Sequence, residues 1–103
     1  MSGIKESDWK LFRKLHPTIL NRFCERILKE AEDIMAKKGM TSYECYLSLY
    51  KHIAEHDKQM VRIFDDQRRS TALTQLMLMY SNSLMTQEEL DQFSPDSQKW
   101  IIS

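Results

Sequence analysis

The apolar residues of this chain recur at intervals of three and four, which is the spacing of one face of an α-helix. The first helix is predicted from three apolar residues that share a face: Trp9, Phe12 and Leu15. Ser7 and Asp8 form its predicted N-cap. We expect this helix to end near His16, because the residue before Pro17 is pushed out of the helical region.

A second helix is predicted to begin at Pro17, because the fixed backbone angle and missing N–H of proline suit the first helical position. Its broad, core-facing stripe consists of two neighbouring apolar rows: Ile19, Phe23, Ile27, Ala31 and Ile34 in one, and Leu20, Cys24, Leu28 and Met35 in the other. Lys37, Lys38 and Gly39 predict its end, with positive charge near the last carbonyl groups and a glycine that can adopt the left-handed conformation.

A tight helical hairpin is predicted around Gly39, because a second turn signal follows it directly. Thr41 and Glu44 form a capping box, in which each side chain accepts a hydrogen bond from the backbone amide of the other residue. The third helix should run from there to about Asp65. Its apolar residues form a heptad-like seam: Tyr43, Leu47, Tyr50, Ala54, Val61 and Phe64.

Asp57 occupies the vacant place in that seam, and two interpretations stay open. It can fix the register of an interface by pairing with Arg68 or Arg69, as single polar residues do in apolar seams. Alternatively, it lies where the seam turns out to solvent, since a straight helix rotates away from a strict heptad. We favour the second interpretation. Arg68 and Arg69 either bind an anion or belong to a solvated loop beside Asp65 and Asp66.

The segment 65–70 is polar throughout and predicts a bend with Ser70 as a candidate cap, so the third and fourth helices are either separate or one bent helix. Residues 76–80 of the fourth helix are apolar on every side, which is typical of a helix enclosed by its own domain or by a partner. A second capping box and its hydrophobic staple follow at Thr86, Glu89, Met85 and Leu90. Ser94 and Pro95 begin a last short helix that should end at Trp100 and Ile101.

Length and composition agree with one all-helical domain over residues 1–103. A chain of 103 residues forms a single core, and its 2 Gly and 2 Pro are too few for the turns of an all-β fold. We therefore predict an all-α fold, a compact bundle of four main helices with short flanking helices. Residues 1–6 are expected to be a flexible tail.

The charges cancel overall but are unevenly distributed. The 15 basic and 15 acidic residues argue against direct binding of nucleic acid, for which a clearly basic surface is expected. The excess is basic before residue 41 and acidic after it. The start of the chain lacks the apolar core of a signal peptide, and no apolar run approaches the roughly 20 residues that span a bilayer. We expect a cytoplasmic protein without membrane contact.

Cys24 and Cys45 are too few for a disulfide framework, and without a CxxC motif they predict neither zinc nor redox chemistry. In the predicted hairpin they lie roughly 15 Å apart along the helix axis, so we expect two reduced thiols. We predict no cofactor.

Two segments, SDWKLFRKLHP at the start and STALTQLMLMYSNSLMTQEELDQFS near the end, resemble a group of small uncharacterised bacterial all-helical proteins. The resemblance covers residues 7–10 and 77–94, and it implies a compact helical domain of the kind encoded by accessory reading frames, including those on mobile gene cassettes. It implies no catalytic or binding residues. Where a glycine is expected in the late turn, this chain has Asn82, which can also adopt the left-handed conformation.

His52, Glu55 and His56 spell H-x-x-E-H, the inverted zinc-protease signature. Histidines four residues apart share a helix face and can share a metal ion, with the carboxylate as general base. A protease needs a further ligand and a cleft, so we predict no enzyme and keep His52 and His56 as candidate metal ligands. The alternative is that all three lie on the solvated side of the third helix.

The apolar helix faces predict a non-enzymatic interaction module that forms a homodimer and can bind another cytoplasmic protein. The expected interface residues are Leu76, Met77, Met79, Tyr80, Tyr46 and Tyr50. An alternative is a small regulator or inhibitor that binds a basic protein of the nucleic-acid machinery through the acidic C-terminal third. The acids that would carry this contact are Glu88, Glu89, Asp91 and Asp96.

Overall fold

The computed structural model describes residues 3–103, and over that span it contains five helices and no strand. The helices are α1 (Glu6–Ala36), α2 (Ser42–Phe64), α3 (Arg69–Ser81), α4 (Gln87–Asp91) and α5 (Pro95–Ile102). The predicted all-α class is confirmed. Three of the helices are long and two are short, so the predicted bundle of four main helices is not confirmed.

The difference arises at Pro17, which lies inside α1 instead of ending one helix and starting another. A proline in a helix interior costs roughly 3 kcal/mol, because a hydrogen bond is lost and the ring crowds the preceding turn. The buried apolar face of α1 continues past Pro17, since Phe12 and Ile19 are both fully buried on the same side of the helix. Burial of large side chains on both sides of Pro17 therefore outweighs the local preference for a break.

The start of α1 also differs from the prediction. Lys5 is the N-cap residue and makes no side-chain cap, while Ser7 and Asp8 lie inside the first turn. Ile4 belongs to the core, and its carbonyl accepts a hydrogen bond from Arg69. A flexible tail is therefore wrong for Ile4 to Glu6, whereas Met1 and Ser2 lie outside the described residues.

The hairpin between α1 and α2 is confirmed. Gly39 adopts φ +88°, in the left-handed region that favours glycine. The Thr41 hydroxyl accepts from the Glu44 amide at 3.1 Å, and the Glu44 carboxylate accepts from the Thr41 amide at 2.8 Å. Because these hydrogen bonds form within a few residues, the sequence pattern alone was sufficient to predict the turn.

α2 and α3 are separate helices joined by a short bend. Arg68 is the N-cap residue of α3, in place of the predicted Ser70, and its amide donates to the Thr71 hydroxyl. α3 packs against α1, α2 and α5. Leu76 and Met79 in its apolar middle are therefore enclosed by the other helices of the same chain, whereas Tyr80 is exposed.

The C-terminal segment follows the predicted signals. The capping box of Thr86 and Glu89 forms at the start of α4, and Ser94 caps α5 with Pro95 in its first turn. In the turn after α3, Ser83 with φ 58° takes the left-handed conformation, whereas Asn82 keeps a negative φ.

The molecule is elongated, with extents of 52 × 23 × 22 Å. The C-terminal helices cover one end, where Arg22 binds Glu89 and Arg26 donates to the carbonyls of Asn82 and Ser83. Among residues 3–103, Arg26 is the last α1 side chain that hydrogen-bonds this end of the molecule, through the turn after α3. Towards Gly39, α1 and α2 therefore continue as a two-helix hairpin.

Candidate functional site

Only part of the predicted seam of α2 faces the core: Phe64 is buried and Leu47 and Ala54 are half-buried, whereas the other three residues are exposed. Tyr43 is 68% exposed, Tyr50 64% and Val61 52%. The side turned towards the rest of the molecule carries the half-buried and buried residues Cys45, Leu49, His52, His56, Met60 and Ile63. The heptad spacing is real, but its two tyrosines and Val61 lie on the outer surface of α2.

An apolar patch, which we call the hairpin stripe, covers one side of the two-helix hairpin. It consists of Tyr43, Tyr46, Tyr50 and Ile53 of α2 with Leu28 and Met35 of α1, each more than half exposed. A shallow groove lined by Cys24, Ile27, Leu28, Ile53, Asp57 and Met60 joins the two helices on this side. Leu28 and Ile53 both line this groove, so the stripe spans the two helices at that point.

The six residues expected at an interface do not share one surface. Leu76 and Met79 are completely buried within the domain, so they have no surface to offer to a partner. Tyr46 and Tyr50 belong to the hairpin stripe. Tyr80 is exposed on α3. Met77, also on α3, is half-buried beside Trp100.

Asp57 is exposed at the end of the hairpin stripe. The two arginines considered as its partners are engaged elsewhere: Arg68 pairs with Asp66 at 2.7 Å and Arg69 pairs with Glu6 at 3.0 Å. Within the chain, this arrangement favours the interpretation that Asp57 lies where the seam meets solvent. It also favours a solvated loop over an anion site for the two arginines.

His52 and His56 are turned towards α1, so the interpretation that they lie on a solvated face is wrong. Their side chains are 12% and 25% exposed. The Oε1 atom of Glu30, on α1, lies 3.6 Å from Nε2 of His52 and 3.5 Å from Nε2 of His56. One ligand atom from each of the three residues falls within 4.8 Å of the others, which is a geometry that can hold a metal ion.

Hydrogen bonds to backbone carbonyls determine which ring nitrogen carries the proton. His56 Nδ1 donates to the His52 carbonyl at 2.8 Å, because a carbonyl oxygen can only accept. In the neutral ring, Nε2 of His56 is then a free lone pair beside Glu30. His52 Nε2 donates to the Ile27 carbonyl at 3.0 Å, which ties α2 to α1.

Glu30 was not predicted, and Glu55 of the H-x-x-E-H signature does not belong to the cluster. Glu55 is exposed on α2. Glu30 lies 9 residues before Gly39 and His52 lies 13 residues after it, so an antiparallel hairpin brings them within about one helical turn of the same level. Counting outward from Gly39 therefore narrows the candidates on α1 to a few residues but does not single out Glu30.

One of the four acids in the C-terminal third is not free to contact a basic partner. Glu89 is buried and makes a two-pronged ion pair with Arg22, at 2.9 and 3.1 Å. Arg22 also donates to the Leu84 carbonyl. Hydrogen bonding to Arg22 holds the pKa of Glu89 below its ordinary value. Contact with a basic partner would rest on the other three acids.

No helix among residues 3–103 combines the length and apolar character needed to cross a membrane. Cys24 and Cys45 are both half-buried free thiols. No protein-family model matches the chain, and neither a curated protein nor a solved structure matches it significantly. The resemblance to small bacterial helical proteins stays a prediction.

Proposed function

We propose that this chain is a non-enzymatic interaction module whose partner is a second copy of itself. The main support for the proposal is the hairpin stripe, because its aromatic and aliphatic side chains are more than half exposed and Leu28 of α1 meets Ile53 of α2 in one groove. Single exposed apolar residues are ordinary, whereas a contiguous patch of several hundred Å² marks an interaction site.

The composition of the stripe suits an interface between two protein chains. Its six residues are each between 53% and 68% exposed. Three of the six are tyrosines, which are enriched at interfaces because the ring can be buried while the hydroxyl stays wet.

The hairpin has few buried residues of its own, which favours a second copy of the chain as the partner that covers the stripe. Beyond Phe23, only Ile27 and Ala31 of α1 are buried in this part of the molecule. Two hairpins that pack stripe to stripe about a two-fold axis form a four-helix arrangement, in which each supplies the layer that the other lacks. The formal net charge is zero, so two copies carry no net repulsion.

Sedimentation equilibrium of wild type and a Tyr50→Glu variant tests this proposal. The exposed Tyr50 is not needed for the fold of one chain, so the variant should stay helical while its dimer dissociates at least about tenfold more readily. Lys51→Glu is the matched control, because it introduces the same residue one position away on the same helix. Equal dissociation constants for wild type and Tyr50→Glu would refute an interface at the stripe.

A further inference from the structure

We propose that Glu30, His52 and His56 form a binding site for a divalent ion of the zinc class. Two imidazole nitrogens and one carboxylate oxygen are a ligand set that zinc uses in proteins. The set joins two helices, with Glu30 on α1 and both histidines on α2. A bound ion would therefore tie the hairpin together.

Two of the three donor–donor distances in the cluster are already close to those of a zinc site, and the third lies within 4.8 Å. Donor atoms around tetrahedral zinc lie about 3.3 Å apart, given bonds of about 2.0–2.1 Å. The carboxylate oxygen of Glu30 is already 3.5 Å from Nε2 of His56 and 3.6 Å from Nε2 of His52.

A hydrogen bond to the backbone already orients His56 as a metal ligand. The Nδ1 proton of His56 is held by the His52 carbonyl, which points Nε2 into the cluster. A hydrogen bond of this kind on the far nitrogen is the usual outer-shell support of a metal-binding histidine. His52 must exchange its hydrogen bond to Ile27 for the metal, and its ring proton moves to Nδ1.

Access to the ion is from the side of Glu30, whose side chain is 47% exposed. Three protein ligands leave one coordination position for water. Glu55 lies outside the cluster, so the base of the H-x-x-E-H signature is not beside the proposed ion. The site is therefore one for binding and stabilisation of the hairpin, and it shares no residue with the hairpin stripe.

Calorimetric titration of tag-free, chelator-treated protein with Zn²⁺ tests the site. The visible spectrum of the protein with Co²⁺ reports whether the coordination is tetrahedral. We expect one ion per chain and a higher melting temperature with zinc. Glu30→Gln should weaken binding by more than the roughly 10–100-fold that loss of an outer-shell contact costs.

Two further variants separate coordination from hydrogen bonding. His52→Gln can still donate to Ile27, and His56→Asn can still donate to the His52 carbonyl, yet each removes a ligand. Both should lose zinc binding while the apo proteins stay folded.

Glu55→Gln is the matched control and should bind like wild type, as should Tyr50→Glu, which tests the dimer separately. Absence of zinc binding by wild type, or unchanged affinity in Glu30→Gln, would overturn the proposal.

Discussion

Asp8 and Ser94 are joined by two hydrogen bonds across almost the whole length of the chain. The Asp8 carboxylate accepts from the Ser94 amide at 3.0 Å and from the Ser94 hydroxyl at 2.6 Å. The Ser97 hydroxyl donates to the same carboxylate at 2.6 Å. Asp8 thus ties the first turn of α1 to the first turn of α5, and it is buried where it does so.

Asp8→Asn should lower the free energy of unfolding by about 1.5–3 kcal/mol, the range for a hydrogen bond to a charged group. The amide keeps the shape of the side chain but loses the charge that these three donors stabilise. Urea unfolding at pH 7 measures the loss. Asp96→Asn, an exposed acid in the first turn of α5, should change stability by less than about 0.5 kcal/mol. Equal stability of Asp8→Asn and wild type would show that this contact contributes little.

The ion pair of Arg22 and Glu89 predicts a dependence of stability on pH. The pKa of Glu89 is lowered in the folded state from an ordinary value of 4.5, because Arg22 stabilises the charged carboxylate. The stabilisation is therefore complete above about pH 5 and is lost as the pH falls below 4.5 towards the folded pKa.

Glu89→Gln should accordingly be less stable at pH 7, by about 1.5–3 kcal/mol, and should lose less further stability between pH 5 and 3. Urea titrations at several pH values measure both effects. Glu88→Gln, an exposed neighbour, is the control and should retain the wild-type slope. A Glu89→Gln variant with the wild-type acid response would contradict a role for this ion pair.

Pro17→Ala should stabilise the protein. Pro17 is exposed inside α1, and alanine restores the missing amide and removes the crowding of the preceding turn. The gain should be about 1–3 kcal/mol, below or equal to the full difference in helix propensity. Thermal unfolding measures it. A lower melting temperature would mean that α1 needs the geometry imposed by proline to pack.

Features that depend on neighbouring residues could be predicted from the sequence, whereas features that depend on contacts between distant residues could not. The turn at Gly39 and the box at Thr86 depend on a few neighbouring residues, and both were predicted correctly. The break at Pro17 was wrong because distant packing along α1 outweighs a local preference.

The face of α2 that turns inward depends on what α1 presents to it. Tyrosine can be buried or exposed, so the heptad-like pattern could not decide between the core and a partner. Half-buried His52 and His56 occupy the inward face instead, held by Ile27 and Glu30 of the neighbouring helix. Residue spacing along α2 alone carries no information about those contacts.

The central claim, that the hairpin stripe joins two copies of the chain, is tested most directly by the molar mass of wild type in solution. Light scattering should give twice the chain mass of 12.3 kDa at high concentration. On dilution through the micromolar range, the mass should fall towards that of one chain. A mass of 12.3 kDa at every concentration would contradict the account.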